Sequence, residues 1–147
     1  MNIEITKEQL KEMILAAMFY SWIRGGLADS KGEDFSEYEK LEKYLLQVAK
    51  ENKFDLAEEF KSYLVPTDQL CQLQEKIMEE HDEDTFWHEL VTALGKRDFY
   101  KTITDTDKQF IEKEDMFPER IHQLYEKYEE EFDKFGIDRL EIKKDNH

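Results

Sequence analysis

A glutamate and a histidine three residues apart, Glu119 and His122, have the spacing of a metal-binding pair. Di-iron and di-zinc bundles combine such Glu-x-x-His pairs with carboxylates from neighbouring helices, all directed into the core. In a helix, His122 and Glu119 lie about 100° and about 160° around the axis from Ile121, which belongs to the apolar stripe of this segment. The pair therefore points away from the core, and we predict neither a metal site nor a cofactor.

The densest acidic stretch, EEHDEDTFWHEL (79–90), offers the oxygen ligands that calcium prefers. A calcium-binding helix–loop–helix also needs Asp or Asn at alternate positions, a central glycine and a final glutamate. That spacing does not occur in this stretch. We interpret it as a solvated turn that ends one helix and whose acids complement the start of the next, at Asp84 or Thr85.

A single cysteine, Cys71, lies beside Leu70 in an amphipathic segment, which is typical of an inert buried thiol. The sequence has no Gly-x-Ser-x-Gly, Ser-x-x-Lys or His-Glu-x-x-His pattern, the signatures of several nucleophilic and zinc-dependent enzymes. Carboxylates occur throughout the chain, so no pair stands out as general acid and base. We therefore predict that the protein is not an enzyme.

Two adjacent glycines, Gly25 and Gly26, follow the apolar run FYSWIR (19–24). A phosphate-binding loop follows a strand and ends in Gly-Lys-Ser or Gly-Lys-Thr, whereas this pair follows a helix. We interpret the pair as a helix C-terminus, with Gly26 in the left-handed conformation. Leu27 would then fold back onto Trp22, as the equivalent positions do in a Schellman motif.

Hydrophobic periodicity favours helices throughout, as does the scarcity of proline and glycine, with 2 and 5 residues respectively. We predict an all-α fold: a single-domain antiparallel helical bundle over 1–147 with a short extended C-terminal tail. The five to seven predicted helices cover about 6–25, 36–52, 55–65, 67–81, 85–95, 106–114 and 118–135. A short strand is the alternative for the tail at 137–142.

Local signals predict several helix ends. Thr6 and Gln9 have the spacing of a capping box at the start of the first helix. Gly95 and Gly136 each follow an apolar stripe and are predicted to end a helix. Pro118 suits the first position of the last helix, where its missing N–H costs no hydrogen bond.

The apolar run 13–23 contains one clearly polar residue, Ser21, so the first helix is apolar on every side. It is either the central helix of the fold or half of a homodimer interface. The run is shorter than the roughly 20 apolar residues of a membrane span, and it lacks the positive flank of a signal peptide. We expect a cytoplasmic protein that does not contact membranes.

The formal net charge of −15 is distributed unevenly. Residues 1–66 carry 9 basic and 13 acidic side chains, whereas residues 67–147 carry 12 and 23, so the acidity lies in the second half. Such a field repels nucleic acids and anionic membranes and attracts a basic protein. The simpler interpretation is that the acidity only keeps the protein soluble.

These features favour a non-enzymatic protein–protein interaction or adaptor module whose partner has a basic surface. The alternatives are an acidic inhibitor (immunity-like or a nucleic-acid mimic) of a basic toxin or nuclease, and a metal-dependent enzyme. The predicted partner-binding surface is acidic and consists of Glu79, Glu80, Asp82, Glu83, Asp84, Glu126, Glu129, Glu130 and Glu131.

Overall fold

The computed structural model describes residues 4–141, which are mostly helical and include one two-stranded antiparallel sheet. The helices are α1 (Lys7–Ser30), α2 (Lys40–Glu51), α3 (Asp68–Lys101), α4 (Asp105–Glu114) and α5 (Ile121–Phe135), with a 3₁₀ turn at Ser36–Glu39 and strands β1 (Ala57–Phe60) and β2 (Tyr63–Pro66). The helical class is confirmed, but the sheet corrects the all-α prediction. The chain divides into two compact units, unit 1 (Met1–Glu80) and unit 2 (His81–His147). A single domain over 1–147 stays a prediction.

Helix α1 begins at the predicted capping box. The Thr6 hydroxyl accepts from the Gln9 backbone N–H at 3.1 Å, and the Gln9 side chain accepts from the Thr6 N–H at 2.9 Å. Each side chain satisfies a donor that the first turn leaves free, so this prediction is confirmed.

The predicted end of α1 is wrong, because the helix continues through both glycines to Ser30. The Schellman motif forms six residues later, at Gly32, whose φ is 69°. There the Glu33 N–H donates to the Ala28 carbonyl and the Gly32 N–H donates to the Asp29 carbonyl, both at 2.9 Å. A glycine lowers helix stability without ending the helix, and only the third glycine lies where the left-handed conformation is required.

Replacing Gly26 with alanine is expected to stabilise the protein by about 0.5–1 kcal/mol, because Gly26 is helical and a Cβ there meets no heavy atom within 4 Å. Urea unfolding followed by circular dichroism measures the change. If Gly26 were in the left-handed conformation, the alanine substitution would instead destabilise the protein, since alanine tolerates positive φ poorly. Gly32→Ala, at φ 69°, is the matched control and is expected to destabilise.

The core of unit 1 is formed by one face of α1 packed against α2, with contributions from the hairpin region and the start of α3. Its buried residues are Leu10, Ile14, Leu15, Ala17, Met18, Leu45, Leu46, Ala49, Leu56 and Leu70. Elsewhere on α1, Met13, Tyr20, Trp22 and Ile23 are exposed. The structure therefore covers only part of the helix that the sequence predicted to be apolar on every side. A homodimer through α1 stays a prediction.

The predicted helix over 55–65 is wrong, because this segment is the β1–β2 hairpin, in which Phe60 pairs with Tyr63. Lys61 and Ser62, between them, have φ values of 45° and 74°, the left-handed geometry of a tight two-residue hairpin turn. The predicted apolar positions, Leu56, Phe60 and Leu64, are also compatible with two short strands. In the hairpin Leu56 is buried whereas Phe60 is exposed.

The predicted helices over 67–81 and 85–95 are one continuous helix, α3. The acidic stretch between them contains no glycine or proline to interrupt it, and its exposed side chains keep their carboxylates in water. Gly95 lies inside α3 and does not end it. A Cβ at Gly95 would lie 2.4 Å from Cδ1 of Tyr125, so the glycine allows a close approach of the Tyr125 ring.

Unit 2 also contains α4 and α5. Thr104 and Asp107 form a capping box at the start of α4, and Gly136 (φ 55°) caps α5 as predicted. Pro118 lies three residues before the first residue of α5, where its carbonyl accepts from the Ile121 N–H at 3.0 Å. After α5 the described chain continues in turns and not as the predicted extended tail. The end of that tail, from 142 onward, lies outside the described residues.

None of the helices that the structure describes combines the length and the apolar character required to cross a membrane.

Candidate functional site

Unit 1 contains an open groove of about 870 Å³ along the second half of α1. Its opposite wall comes from Phe35, the start of α2 and the residues around Pro66 and Cys71. We call this concavity the α1 groove; its principal side chains are Trp22, Ile23, Leu27, Phe35, Glu39 and Glu42.

Large apolar side chains surround the α1 groove without being buried. Trp22 is 53% exposed, Ile23 and Leu27 are each 50% exposed, and Phe35 is 43% exposed. Four half-exposed apolar side chains at one concavity make this part of unit 1 a candidate contact surface. The sequence did not predict this surface, because a helix that is apolar on every side was expected to be covered on every side.

The two glycines of α1 lie in the wall of the groove. Gly25 is buried, and a Cβ there would be 3.8 Å from the Cβ of Phe35, an ordinary contact. A Cβ at Gly26 would point into open space. Gly26 therefore lowers the α1 surface along the groove, so that another backbone can approach α1 closely there, whereas Gly25 already lies against Phe35.

The polar side chains of the groove are predominantly acidic. Asp29, Glu39 and Glu42 line it, and none of its described lining residues is a lysine or an arginine. Glu42 is half-buried and accepts a hydrogen bond from the Ser21 hydroxyl at 2.5 Å. Glu39, the last residue of the 3₁₀ turn, pairs with Lys43 of α2 at 2.5 Å. The groove thus combines an apolar surface with a negative rim.

Cys71 also lines the α1 groove. Partial burial raises the pKa of its thiol, and the carboxylates of Asp68 and Glu75 raise it further. A higher pKa lowers the thiolate fraction near neutral pH, so Cys71 is a poor nucleophile.

The predicted acidic surface is divided between the two units, since Glu79 and Glu80 belong to unit 1 and its other members to unit 2. All nine side chains are exposed except Glu131, which is partly buried and lies 3.3 Å from the Arg139 guanidinium. Two of them, Asp84 and Glu129, line one cavity of about 400 Å³ in unit 2. The rest of that cavity is Trp87, His88, Val91, Phe132 and Asp133.

Glu119 and His122 are both exposed, in agreement with the direction predicted from the helical geometry. Within residues 4–141 no group of three or more His, Cys, Asp or Glu side chains is placed to hold a metal ion.

Two charged clusters in unit 2 were not predicted from the sequence. In the first, Asp98 of α3 accepts from Arg97 Nε at 2.9 Å and from the Tyr128 hydroxyl of α5. In the second, Asp107 accepts from Arg120 Nε at 3.0 Å and from the Thr104 backbone N–H at 2.9 Å in the α4 capping box. Asp98 and Tyr128 are 30 residues apart and Asp107 and Arg120 are 13 apart, so no local pattern indicates these two pairs.

These clusters shift the pKa values of their acids. Hydrogen bonds from Arg97 and Tyr128 hold the pKa of Asp98 well below its usual range, and Arg120 does the same for Asp107. Burial raises the pKa of Tyr128, and its hydrogen bond to Asp98 adds to the effect. Both aspartates therefore remain ionised far into the acid range and connect the helices of unit 2.

The depressed pKa values predict a loss of stability in acid. A carboxyl whose pKa is lower in the folded state stabilises it above the unfolded pKa, about 3.9, and this contribution disappears as the pH falls through the folded value. Urea midpoints measured from neutral pH to about pH 2 should therefore decrease below about pH 4. Asp107→Asn should make that decrease shallower. Asp105→Asn, on the exposed first turn of the same helix, is the control, and an equal effect of both variants would contradict the assignment.

The chain matches no protein-family model, and no curated protein or solved structure is significantly similar to it.

Proposed function

We propose that the protein is a non-enzymatic protein–protein interaction module and that the α1 groove is its partner-binding surface. The observation that carries this proposal is the half-exposed cluster of Trp22, Ile23 and Leu27 along an open groove. Tryptophan is enriched among the residues that dominate binding energy at protein interfaces, and such residues lie in apolar centres surrounded by polar rims. The groove has this arrangement before any partner is bound.

In this proposal the acidic surface predicted from the sequence attracts the partner and does not itself form the main contact. A net charge of −15 attracts a basic protein over distances of roughly a Debye length, about 8 Å at physiological salt, and increases the rate of encounter. The exposed carboxylates at 79–84 and 126–130 would supply that attraction, whereas the apolar groove would supply the stability of the complex.

The proposal is tested by affinity capture from the source organism with the wild-type chain and two single variants. Trp22→Ala is expected to weaken the captured complex by at least 2 kcal/mol, about 30-fold, because it truncates the most exposed large side chain of the groove. Tyr63→Ala is the matched control, since Tyr63 is 72% exposed on the hairpin and does not line the groove. Quantitative mass spectrometry compares the two. Equal capture by both variants would contradict the proposal.

A second candidate function, an acidic inhibitor of a basic toxin or nuclease, is favoured by the cavity in unit 2. Asp84, Glu129 and Asp133 line it together with Trp87, a combination of residues suited to a cationic side chain. This candidate predicts that reversal of Asp84 and Glu129 to lysine abolishes capture while Trp22→Ala leaves it unchanged. Trp22→Ala therefore separates the two functions, since only the interaction module predicts that this variant weakens capture.

A further inference from the structure

We infer that the occupant of the α1 groove is a basic amphipathic helix of the partner protein. This inference rests on the proposed function and adds the secondary structure and charge of the ligand. Its two grounds are the shape of the groove and the unbalanced charge of the groove.

The shape of the groove fits a helix. Met18, Trp22, Gly25 and Asp29 are separated by four, three and four residues, so they form one face of α1 along the groove, with Gly26 beside Gly25. The eleven steps from Met18 to Asp29 correspond to a rise of about 16 Å, or three helical turns. A partner helix of similar length presents its anchors at matching intervals, as in other helix-in-groove complexes. Gly26, where a Cβ would meet no heavy atom within 4 Å, allows the axis of such a helix to approach α1.

The charge of the groove requires cations on the occupant. Glu42 is half-buried and its described polar contact is the neutral Ser21 hydroxyl, and no described lysine or arginine lines the groove. A purely apolar helix would remove water from this carboxylate without compensation, which is costly. Lysine or arginine at the edges of the apolar face would instead pair with Glu42 and Asp29.

The same charges disfavour a second copy of this chain as the occupant. In a two-fold symmetric dimer through the groove, both copies contribute the same surface. Asp29, Glu39 and Glu42 of one copy would then lie in one interface with the same three carboxylates of the other. Repulsion between them opposes the apolar contact of the two α1 helices.

The test uses Trp22 as the reporter. The chain has two tryptophans, so the Trp87→Phe variant leaves Trp22 as the single one. It is titrated with three synthetic peptides of equal length: a Leu/Lys helix with one apolar face, the same helix with Glu in place of Lys, and a Leu/Lys peptide whose order abolishes the apolar face. We expect a saturable blue shift of Trp22 emission with the first peptide alone, and calorimetry gives its Kd.

Three variants assign the binding to the groove. Glu42→Gln is expected to weaken binding of the Leu/Lys helix about tenfold. Glu12→Gln, the same change at an exposed position of α1 outside the groove, should alter it less than about twofold. Gly26→Leu places a side chain into the open space of the groove and is expected to abolish binding. Its helical circular dichroism should be unchanged, since leucine is a better helix former than glycine.

The outcomes separate the inference from the proposed function. If the Glu helix binds as tightly as the Leu/Lys helix, the inference that the occupant is basic is wrong, but the groove is supported as a binding site. Equal binding of the peptide without an apolar face shows unspecific attraction and overturns the helical occupant. Dimerisation that buries Trp22 in sedimentation experiments assigns the groove to a second copy. If no peptide shifts the emission of Trp22, and if Trp22→Ala leaves partner capture unchanged, the inference and the proposed function are both wrong.

Discussion

Truncation of Phe99 to alanine is expected to lower the free energy of unfolding of unit 2 by about 3–5 kcal/mol. Phe99 is completely buried, and its ring packs edge-on against Phe117 at a centroid distance of 5.4 Å. The Arg120 guanidinium also lies against the ring, 4.2 Å from its centroid. The variant therefore creates a cavity and also removes the surface against which the Asp107–Arg120 pair is positioned.

Urea unfolding measures this effect in a Trp22→Phe background, in which Trp87 is the single tryptophan and reports unit 2. Tyr100→Ala is the matched control, because Tyr100 is the adjacent aromatic residue but is 56% exposed. If Phe99→Ala does not fold, Phe99→Leu keeps most of the volume and should cost about 1 kcal/mol. Equal losses for the Phe99 and Tyr100 truncations would show that Phe99 is not central to the core.

Replacement of Gly95 by alanine is expected to destabilise unit 2 by about 1–2 kcal/mol, although alanine is the better helix former. The added Cβ would lie 2.4 Å from Cδ1 and 2.6 Å from Cε1 of the Tyr125 ring. The ring has to move away and lose its packing on α3, and this cost exceeds the gain in helix propensity of about 1 kcal/mol.

Gly26→Ala is the internal control for Gly95→Ala, because both glycines lie inside helices and only Gly95 has a close neighbour. Their effects should have opposite signs in the same urea experiment. A double variant, Gly95→Ala with Tyr125→Leu, should recover part of the loss by removing the ring that the Cβ meets. Stabilisation by the single Gly95→Ala change would contradict the close approach of α3 and Tyr125.

Local signals in the sequence correctly predicted those helix ends that depend only on residues close by in the chain. The Thr6–Gln9 capping box and the Gly136 cap depend on hydrogen bonds within a few residues of the helix end, so residue type and spacing predict them. The same rules failed at Gly26 and Gly95, since a glycine is also compatible with a helix interior. Whether such a glycine ends a helix depends on the next residues of the chain and on the side chains that pack against it.

The segment 55–65 shows a second limit of local patterns. Its apolar residues recur at helical intervals, but they also fit two four-residue strands joined by a tight turn. The choice depends on non-local contacts, including the burial of Leu56 in the core of unit 1. Such contacts cannot be read from the segment itself.

The sequence by itself determined the helical class, the negative charge and the capped helix ends, because these depend on composition and on contacts between near neighbours. Only the tertiary structure decided which face of α1 is buried, and it therefore also decided that Trp22, Ile23 and Leu27 border an open acidic groove. A helix that is apolar on every side carries no periodic signal to indicate its exposed face. Packing against α2 resolves that ambiguity, and the candidate binding surface is the part of α1 that this packing leaves uncovered.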